Sequence, residues 1–149
     1  MSSFSWPTRV YWEDTDGGGV VYYANYLKYL ERARTEWLRV RGFSQQELAR
    51  ERGVLFTVVS LKVEYKRPAR LDDQLIVTCE PRAEGPASLS FGQRIVRGPL
   101  VPAAAVQPPD GGSLLVVADV RVACVDSDSF RPQRLPQVLV SALTAQEPA

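Results

Sequence analysis

One long helical pattern, followed by segments that alternate every second residue, limits most strongly what this chain can fold into. Between residues 25 and 41, apolar side chains recur at spacings of three and four, which predicts an amphipathic helix. Its core stripe consists of Tyr26, Leu30, Ala33 and Trp37, widened by Leu27, Leu38 and Val40. Four later segments indicate strands, at 60–66, 74–80, 88–97 and 112–126. One helix and a run of antiparallel strands predict an α+β fold, a sheet wrapped around a long central helix.

Shorter elements flank this core. Residues 8–12 are predicted to form a first strand. The stretch SQQE at 44–47 is a capping box, which predicts a short helix over 45–52 that ends at Gly53, and Gly42 is expected to cap the long helix. Arg32 and Glu36 are spaced to pair on its exposed side. Residues 135–146 are expected to form a terminal helix.

The chain of 149 residues fits a single domain, 1–149. The stretch 98–112 is rich in Pro, Ala and Gly and has no periodicity, so it is predicted to be a long, mobile hairpin insertion. In the strand at 60–66, Leu61, Val63 and Tyr65 are expected to face the core. The other face of the sheet needs cover or polar groups, and a sheet from a second copy would supply it, so a homo-oligomer is expected.

Charge and hydropathy exclude several classes of function. The net charge of +1 gives no basic surface for nucleic acid. No apolar run approaches the roughly 20 residues of a membrane-spanning helix, and the first residues lack the pattern of a secretion signal. A cytoplasmic protein without membrane insertion is therefore expected. Cys79 and Cys124 lie in apolar strand-like runs and are predicted to be buried, reduced thiols.

The chain contains no histidine. This excludes Ser-His-Asp and Cys-His machinery, histidine-ligated metals and imidazole acid–base chemistry. If the protein is an enzyme, then carboxylates, tyrosines, backbone amides or water must carry the reaction. No metal-ligand spacing is present, and neither a metal nor a cofactor is expected.

The stretch EDTDGGGVVYYAN at 13–25 admits four interpretations. A calcium loop fits poorly, because a glycine stands at its third ligand position and Asn25 at its twelfth. A phosphate loop lacks its Gly-Lys pair. A flexible turn with solvated acids is a simple alternative. In the fourth, the glycines admit a ligand, the helix start near Ala24 polarises a carbonyl oxygen, and Asp16 faces it across the site.

The stretch RVYWEDTDGGGVVYYANYLKYLERARTEWL at 9–38 resembles the signature of the YbgC-like, 4-hydroxybenzoyl-CoA-thioesterase-type hotdog proteins. The likeness continues through VEYKRPARLDD, SLSFGQRIVR, VADVRVACVD and RPQRLP, and so covers nearly the whole chain. It implies a hotdog fold, sheet-paired dimers commonly joined into homotetramers, and hydrolysis of acyl-CoA thioesters. Coenzyme A is then part of the substrate.

The resemblance also implies roles for residues of the opening stretch. The second Asp of the family's Asp-x-Asp motif, the catalytic carboxylate, falls on Asp16, and the backbone N–H that holds the thioester oxygen falls on Tyr23. Many YbgC-like members carry His at the position of Tyr23, so a histidine side-chain role is excluded here. The residues expected to shape the loop or the substrate pocket are Asp14, Gly18, Gly19, Val20, Tyr22 and Asn25.

The phosphates of coenzyme A require basic side chains. The candidates are Lys66, Arg67, Arg94, Arg131 and Arg134. An acyl carrier protein is a second candidate partner. The resemblance leaves one alternative open, a binding module for acyl-CoA or acyl carrier protein with weak or no hydrolysis, linked to envelope or lipid metabolism.

Overall fold

The computed structural model of the chain describes residues 4–98 and 114–144. Within them, five strands form one antiparallel sheet in the order β1-β3-β4-β5-β2. The strands are β1 (Phe4–Arg9), β2 (Val54–Tyr65), β3 (Gln74–Gly85), β4 (Ser88–Arg97) and β5 (Leu114–Asp126). The α-helices are α1 (Asn25–Val40), α2 (Gln45–Arg52) and α3 (Gln137–Thr144). This confirms the predicted α+β architecture.

Helix α1 packs on the inner face of the sheet through its predicted stripe, whose four residues are at most 3% exposed. The Trp37 ring meets Phe91 of β4 edge to face, with 5.3 Å between centroids. Burying one such side chain stabilises the fold by about 1.5–3 kcal/mol, so this contact fixes α1 on the sheet. Gln93 is the buried polar side chain on the inner face of β4, and its amide donates to the Leu30 carbonyl oxygen at 3.1 Å while its oxygen accepts from Arg34 at 3.0 Å.

The outer face of the sheet is charged and polar. Arg82 of β3 reaches across β4 to Asp119 of β5, with 3.1 Å between nitrogen and oxygen. Gly92 permits this path, because a β-carbon there would meet the Arg82 guanidinium at 3.3 Å. Both charged groups are more than half exposed, so the pair contributes at most about 1 kcal/mol.

Helix α2 matches its predicted bounds. The Ser44 hydroxyl accepts a hydrogen bond from the Glu47 N–H at 3.1 Å, and Gly53 ends the helix with φ of 66°. Gly42 follows α1 with φ of 88°, as the cap prediction requires. Both are left-handed conformations that glycine adopts without strain.

The first two strands differ from their predicted positions. Strand β1 covers Phe4–Arg9, and Trp12 lies in a 3₁₀ turn, so the strand predicted over 8–12 was placed too far along the chain. The pairing with β3, from Phe4 opposite Cys79 to Arg9 opposite Gln74, determines where β1 ends. Strand β2 begins at Val54, before the predicted start at residue 60, because its apolar first half does not alternate and so gives no strand pattern. Its register with β5 shifts between Val58 and Ser60.

Several smaller predictions are also corrected. Val40 is 62% exposed and does not extend the core stripe. Glu36 pairs with Arg39 in the following turn, at 3.1 Å, and not with the predicted partner Arg32 in the preceding turn. Leu61 and Tyr65 lie opposite the buried Val120 and Val116 of β5, as their predicted face requires, but they remain 42% and 47% exposed because β2 is the edge strand.

The terminal helix begins at Gln137, two residues later than predicted, and is described as far as Thr144. The predicted insertion at 98–112 lies, apart from Gly98, outside the described residues. Cys79 and Cys124 are buried and unpaired, as predicted, and burial raises the pKa of the Cys79 thiol to about 12. Across 4–98 and 114–144, no helix combines the length and the apolar character needed to cross a membrane.

Candidate active site

The stretch between the first 3₁₀ turn and α1 forms a tight hairpin. Thr15 and Val21 pair as a bridge, the Asp16 N–H donates to the Val20 carbonyl oxygen at 2.9 Å, and the Gly19 N–H donates to the Asp16 carbonyl oxygen at 3.1 Å. Gly19 has φ of 79°, which a residue with a β-carbon adopts only with strain. The glycine run therefore closes a turn that begins at Asp16 and ends at Val20.

The Asp16 carboxylate is exposed and held on one side. Its Oδ1 accepts from the Gly18 N–H at 2.7 Å. Gly18 must lack a side chain for this approach, since a β-carbon would lie 3.3 Å from the same oxygen. No donor in the described part of the chain reaches Oδ2. The carboxylate is thus oriented through one oxygen and available through the other.

The start of α1 presents unused backbone donors. Ala24, the residue before the helix, already has helical φ and ψ of −71° and −22°, and no side chain caps the helix. Among the described residues, no acceptor lies within hydrogen-bond reach of the N–H groups of Tyr23 and Ala24. The first turn carries no acidic side chain, so the positive end of the helix dipole is not neutralised. Such an end can bind a developing negative charge on oxygen.

Asp14 and Asn25 connect the hairpin to the helix. The Asp14 carbonyl oxygen accepts from the Tyr22 N–H and from the Asn25 side-chain amide, both at 2.9 Å. The Asp14 carboxylate accepts from the Tyr11 N–H at 2.8 Å. Both residues therefore make the contacts that a loop-shaping role requires.

Backbone hydrogen bonds join the segment 68–73 to the same hairpin. The Ala69 carbonyl oxygen accepts from the Val21 N–H, and the Ala69 N–H donates to the Tyr26 hydroxyl, both at 2.9 Å. Val20 pairs with Arg70 as a bridge. Arg97 anchors the segment through an ion pair with Asp73 at 2.9 Å. Sequence analysis assigned no role to Ala69 or Asp73, and their only signal was their position in the motif VEYKRPARLDD.

Five tyrosines cluster at the start of α1: Tyr22, Tyr23, Tyr26, Tyr29 and Tyr65. Tyr26 and Tyr29 are buried, whereas Tyr22 and Tyr23 are 46% and 62% exposed. Burial raises the pKa of Tyr29 far above its ordinary value, and the nearby Asp14 carboxylate raises it further. The centroids of these two exposed rings are 4.9 Å apart, just before the start of α1.

The five basic residues predicted to contact the phosphates of coenzyme A do not lie together near Asp16. Lys66 and Arg67 follow Tyr65 directly and lie at the same end of the sheet as the start of α1. Arg94 lies on the outer face of the sheet, where its N–H bonds the Thr78 hydroxyl. Arg131 and Arg134 follow β5 at the opposite end. Asp126 lies ten positions along β5 from Val116, which pairs with Tyr65, so the two ends are about 33 Å apart at about 3.3 Å per residue.

The comparisons with known proteins agree on one family. A family model described as the thioesterase-like superfamily matches residues 10–143. The chain is 47% identical over 138 residues to the acyl-CoA thioester hydrolase YbgC of Escherichia coli O6:H1, covering 93% of each protein. It is 42% identical over 141 residues to the acyl-CoA thioesterase YbgC of Haemophilus influenzae, covering 95% of this chain and 94% of the relative.

The solved structures include a 1,4-dihydroxy-2-naphthoyl-CoA thioesterase from Synechocystis that superposes with a TM-score of 0.81. The superposition covers 95% of this chain and 96% of the other at 22% sequence identity. Together with the sheet and helix described above, it confirms the hotdog fold that the resemblance implied.

Proposed function

This chain belongs to the thioesterase-like superfamily, within it to the YbgC-like hotdog proteins, and we propose that it hydrolyses acyl-CoA thioesters. The observation that carries the proposal is an exposed, oriented carboxylate, Asp16, on the hairpin that leads directly into unused N–H groups at the start of α1. These are the two components that attack on a carbonyl carbon needs when histidine is absent.

In the proposed reaction, the thioester carbonyl oxygen accepts from the Tyr23 N–H. This donor stabilises the negative charge that develops on oxygen when the carbonyl carbon is attacked. Asp16 then acts by one of two routes. Its Oδ2 attacks the carbonyl carbon and expels the thiolate of coenzyme A, and water cleaves the resulting mixed anhydride; or Asp16 takes a proton from the water that attacks. Both routes yield a free acid and coenzyme A.

We further propose that a second copy of the chain covers β2. This strand pairs only with β5 among the described strands, and it exposes Val58, Val59, Leu61 and Tyr65 by 42–54%. An exposed apolar edge strand is a ready template for strand pairing. Antiparallel pairing about a twofold axis near the middle of β2 would bring the partner's 126–134 segment towards this chain's Tyr65. Arg131 and Arg134 would then serve coenzyme A in the partner's site, with Lys66 and Arg67 serving it in their own.

The experiment that tests the proposed function measures thiol release from short, long and aromatic acyl-CoAs by the wild type and by Asp16→Asn. We expect at least one thioester to be turned over, and we expect the variant to lose about 10²-fold or more in kcat, because Asn neither attacks nor accepts a proton. Glu13→Gln is the matched control, since Glu13 is an exposed carboxylate in the adjacent 3₁₀ turn and should leave kcat unchanged.

The same experiment distinguishes hydrolysis from the alternative, a binding module for acyl-CoA or acyl carrier protein. Turnover of no thioester, or equal kcat in Asp16→Asn and the wild type, would contradict the proposed reaction and favour a binding module. Retained affinity for acyl-CoA without hydrolysis would identify that module. The preferred acyl chain follows from the acyl-CoA with the highest kcat/KM, and the carrier from the same assay with that acyl chain on acyl carrier protein.

A further inference from the structure

Tyr65 connects the edge strand to the start of α1. It is the last residue of β2, and its hydroxyl donates to the Tyr23 carbonyl oxygen at 3.0 Å, across 42 residues of sequence. Its ring lies 6.4 Å from that of Tyr23 and 5.4 Å from that of Tyr26, measured between centroids. Both the hydroxyl and the ring of Tyr65 therefore contact the residues that begin the helix.

The backbone around the Tyr23 N–H is fixed on each side of that group. The Tyr22 N–H donates to the Asp14 carbonyl oxygen at 2.9 Å, and the Tyr22 carbonyl oxygen accepts from the Asn25 N–H at 2.8 Å. The Tyr23 carbonyl oxygen is the third fixed group, and Tyr65 is the side chain that fixes it. The first two bonds lie within the hairpin and helix, whereas the third comes from the sheet.

We propose that Tyr65 is a positioning residue for the reaction: its hydroxyl holds the peptide group between Tyr23 and Ala24, and through it the adjacent Tyr23 N–H donor, in the orientation that a thioester oxygen requires. The inference rests on the proposed function. Electrostatic stabilisation depends on donors that are already oriented when charge develops, so loss of the Tyr65 hydroxyl should impair the transition state more than substrate binding.

Two further observations fit this role. Burial and the neighbouring Tyr23 and Tyr26 hydroxyls raise the pKa of Tyr65, so it remains a donor at neutral and moderately alkaline pH. Tyr65 is also 47% exposed on a single chain, which allows water to compete for its hydrogen bond. Covering by substrate or by a second copy would exclude that water and strengthen the bond. Tyr65 thus links the uncovered strand edge to the candidate active site.

The test compares Tyr65→Phe with the wild type on a thioester whose hydrolysis depends on Asp16. Phe keeps the ring contacts and removes only the hydroxyl. We expect kcat to fall about 5- to 10-fold, the effect of one lost hydrogen bond, with KM changed by less than about 2-fold. Tyr11→Phe is the matched control, since Tyr11 is a 61% exposed tyrosine outside the cluster and its backbone N–H remains bonded to Asp14.

A second readout needs no turnover. In Tyr65→Phe, we expect the backbone amides of Tyr23 and Ala24 to show altered chemical shifts and faster hydrogen exchange, while amides in α2 do not change. An unchanged kcat, or a rise in KM at constant kcat, would overturn the positioning role. If the wild type hydrolyses no thioester, the proposed function fails, and unchanged Tyr23 and Ala24 amides would then overturn the structural part of the inference separately.

Discussion

The junctions that lead into α1 and α2 differ in how their backbone N–H groups are hydrogen-bonded. At α2, Ser44 is extended, its hydroxyl accepts from the Glu47 N–H, and Glu47 adds a negative charge to the first turn. At α1, Ala24 offers no side-chain acceptor and no acid occupies the first turn. The N–H of the third helical residue, which the Ser44 side chain caps at α2, bonds the Ala24 carbonyl oxygen at α1, and the N–H groups of Tyr23 and Ala24 are the donors there that find no acceptor among the described residues.

The two helices can differ in this way because they are stabilised differently. Six residues of α1 are buried, including Trp37, whereas Leu48 is the buried residue of α2. Loss of a side-chain cap costs about 0.5–2 kcal/mol, less than the burial of one or two large apolar side chains contributes. Packing therefore allows α1 to begin without a cap, while α2 depends on local hydrogen bonds.

Asn25 shows that the missing cap at α1 does not come from a lack of polar residues. Its side-chain amide donates to the Asp14 carbonyl oxygen at 2.9 Å, which holds the hairpin against the helix and leaves the Tyr23 and Ala24 N–H groups uncovered. A residue of a type that often caps helices is thus present at position 25, but its side chain bonds the hairpin and not the helix. This arrangement is what a site that binds an oxyanion requires.

Among substitutions at the two junctions, the largest effect is expected from Asn25→Ala, which removes the bond between hairpin and helix. We expect kcat for the best thioester to fall about 10-fold, because Asp16 and the Tyr23 N–H lose their fixed relation, and the free energy of unfolding to fall by about 1 kcal/mol. Steady-state kinetics and urea denaturation measure the two quantities.

Gln45→Ala is the matched control for Asn25→Ala. Gln45 is likewise the first residue of its helix, and its amide also donates a hydrogen bond, to the Thr35 hydroxyl at 3.1 Å. This variant should leave kcat unchanged. Equal losses of kcat in both variants would remove the distinction between the two junctions.

A smaller effect, confined to stability, is expected from Ser44→Ala. It removes the cap of α2, so we expect the free energy of unfolding to fall by about 1 kcal/mol and Tm by about 2–4 °C, with kcat and KM unchanged. Ser44→Asp keeps an acceptor at the same position and should retain wild-type stability. A loss of kcat in Ser44→Ala would show that α2 also supports the site.

The two junctions also differ in how far the sequence predicts them. The α2 junction depends on residues within ten positions, Ser44, Glu47 and Gly53, so the capping box and the glycine predict both helix ends. The α1 junction is assembled from distant parts of the chain: Tyr65 bonds Tyr23, and Ala69 bonds both Val21 and Tyr26. Such pairs have no local periodicity. The glycine run and the helix start indicated Asp16 as one of four interpretations, and only the motif resemblance pointed to Tyr23.

The errors in the strands have the same physical origin. The alternation of residues 60–66 predicts an inward-facing Tyr65, but no alternation reveals that β2 lies at the sheet edge, where half of that side chain remains exposed. The aromatic run after Arg9 has strand propensity, yet pairing with β3 stops β1 at Arg9 and the next residues turn towards Asp14. Tertiary pairing overrides local preference in both cases.

The smallest effect that distinguishes the junctions is expected from a pair of glycine substitutions in the hairpin. In Gly18→Ala, the new β-carbon would lie 3.3 Å from Asp16 Oδ1, so the carboxylate must move by a few tenths of an ångström; a β-carbon at Gly17 would meet nothing within 4 Å. We expect Gly18→Ala to lower kcat about 2- to 5-fold, and Gly17→Ala to leave kcat unchanged and stability equal or up to about 1 kcal/mol higher. Kinetics on one thioester and thermal unfolding measure both. Equal kcat in the two variants would mean that the Gly18 contact does not set the reactive position of Asp16, and that α1's unused donors act without an oriented carboxylate.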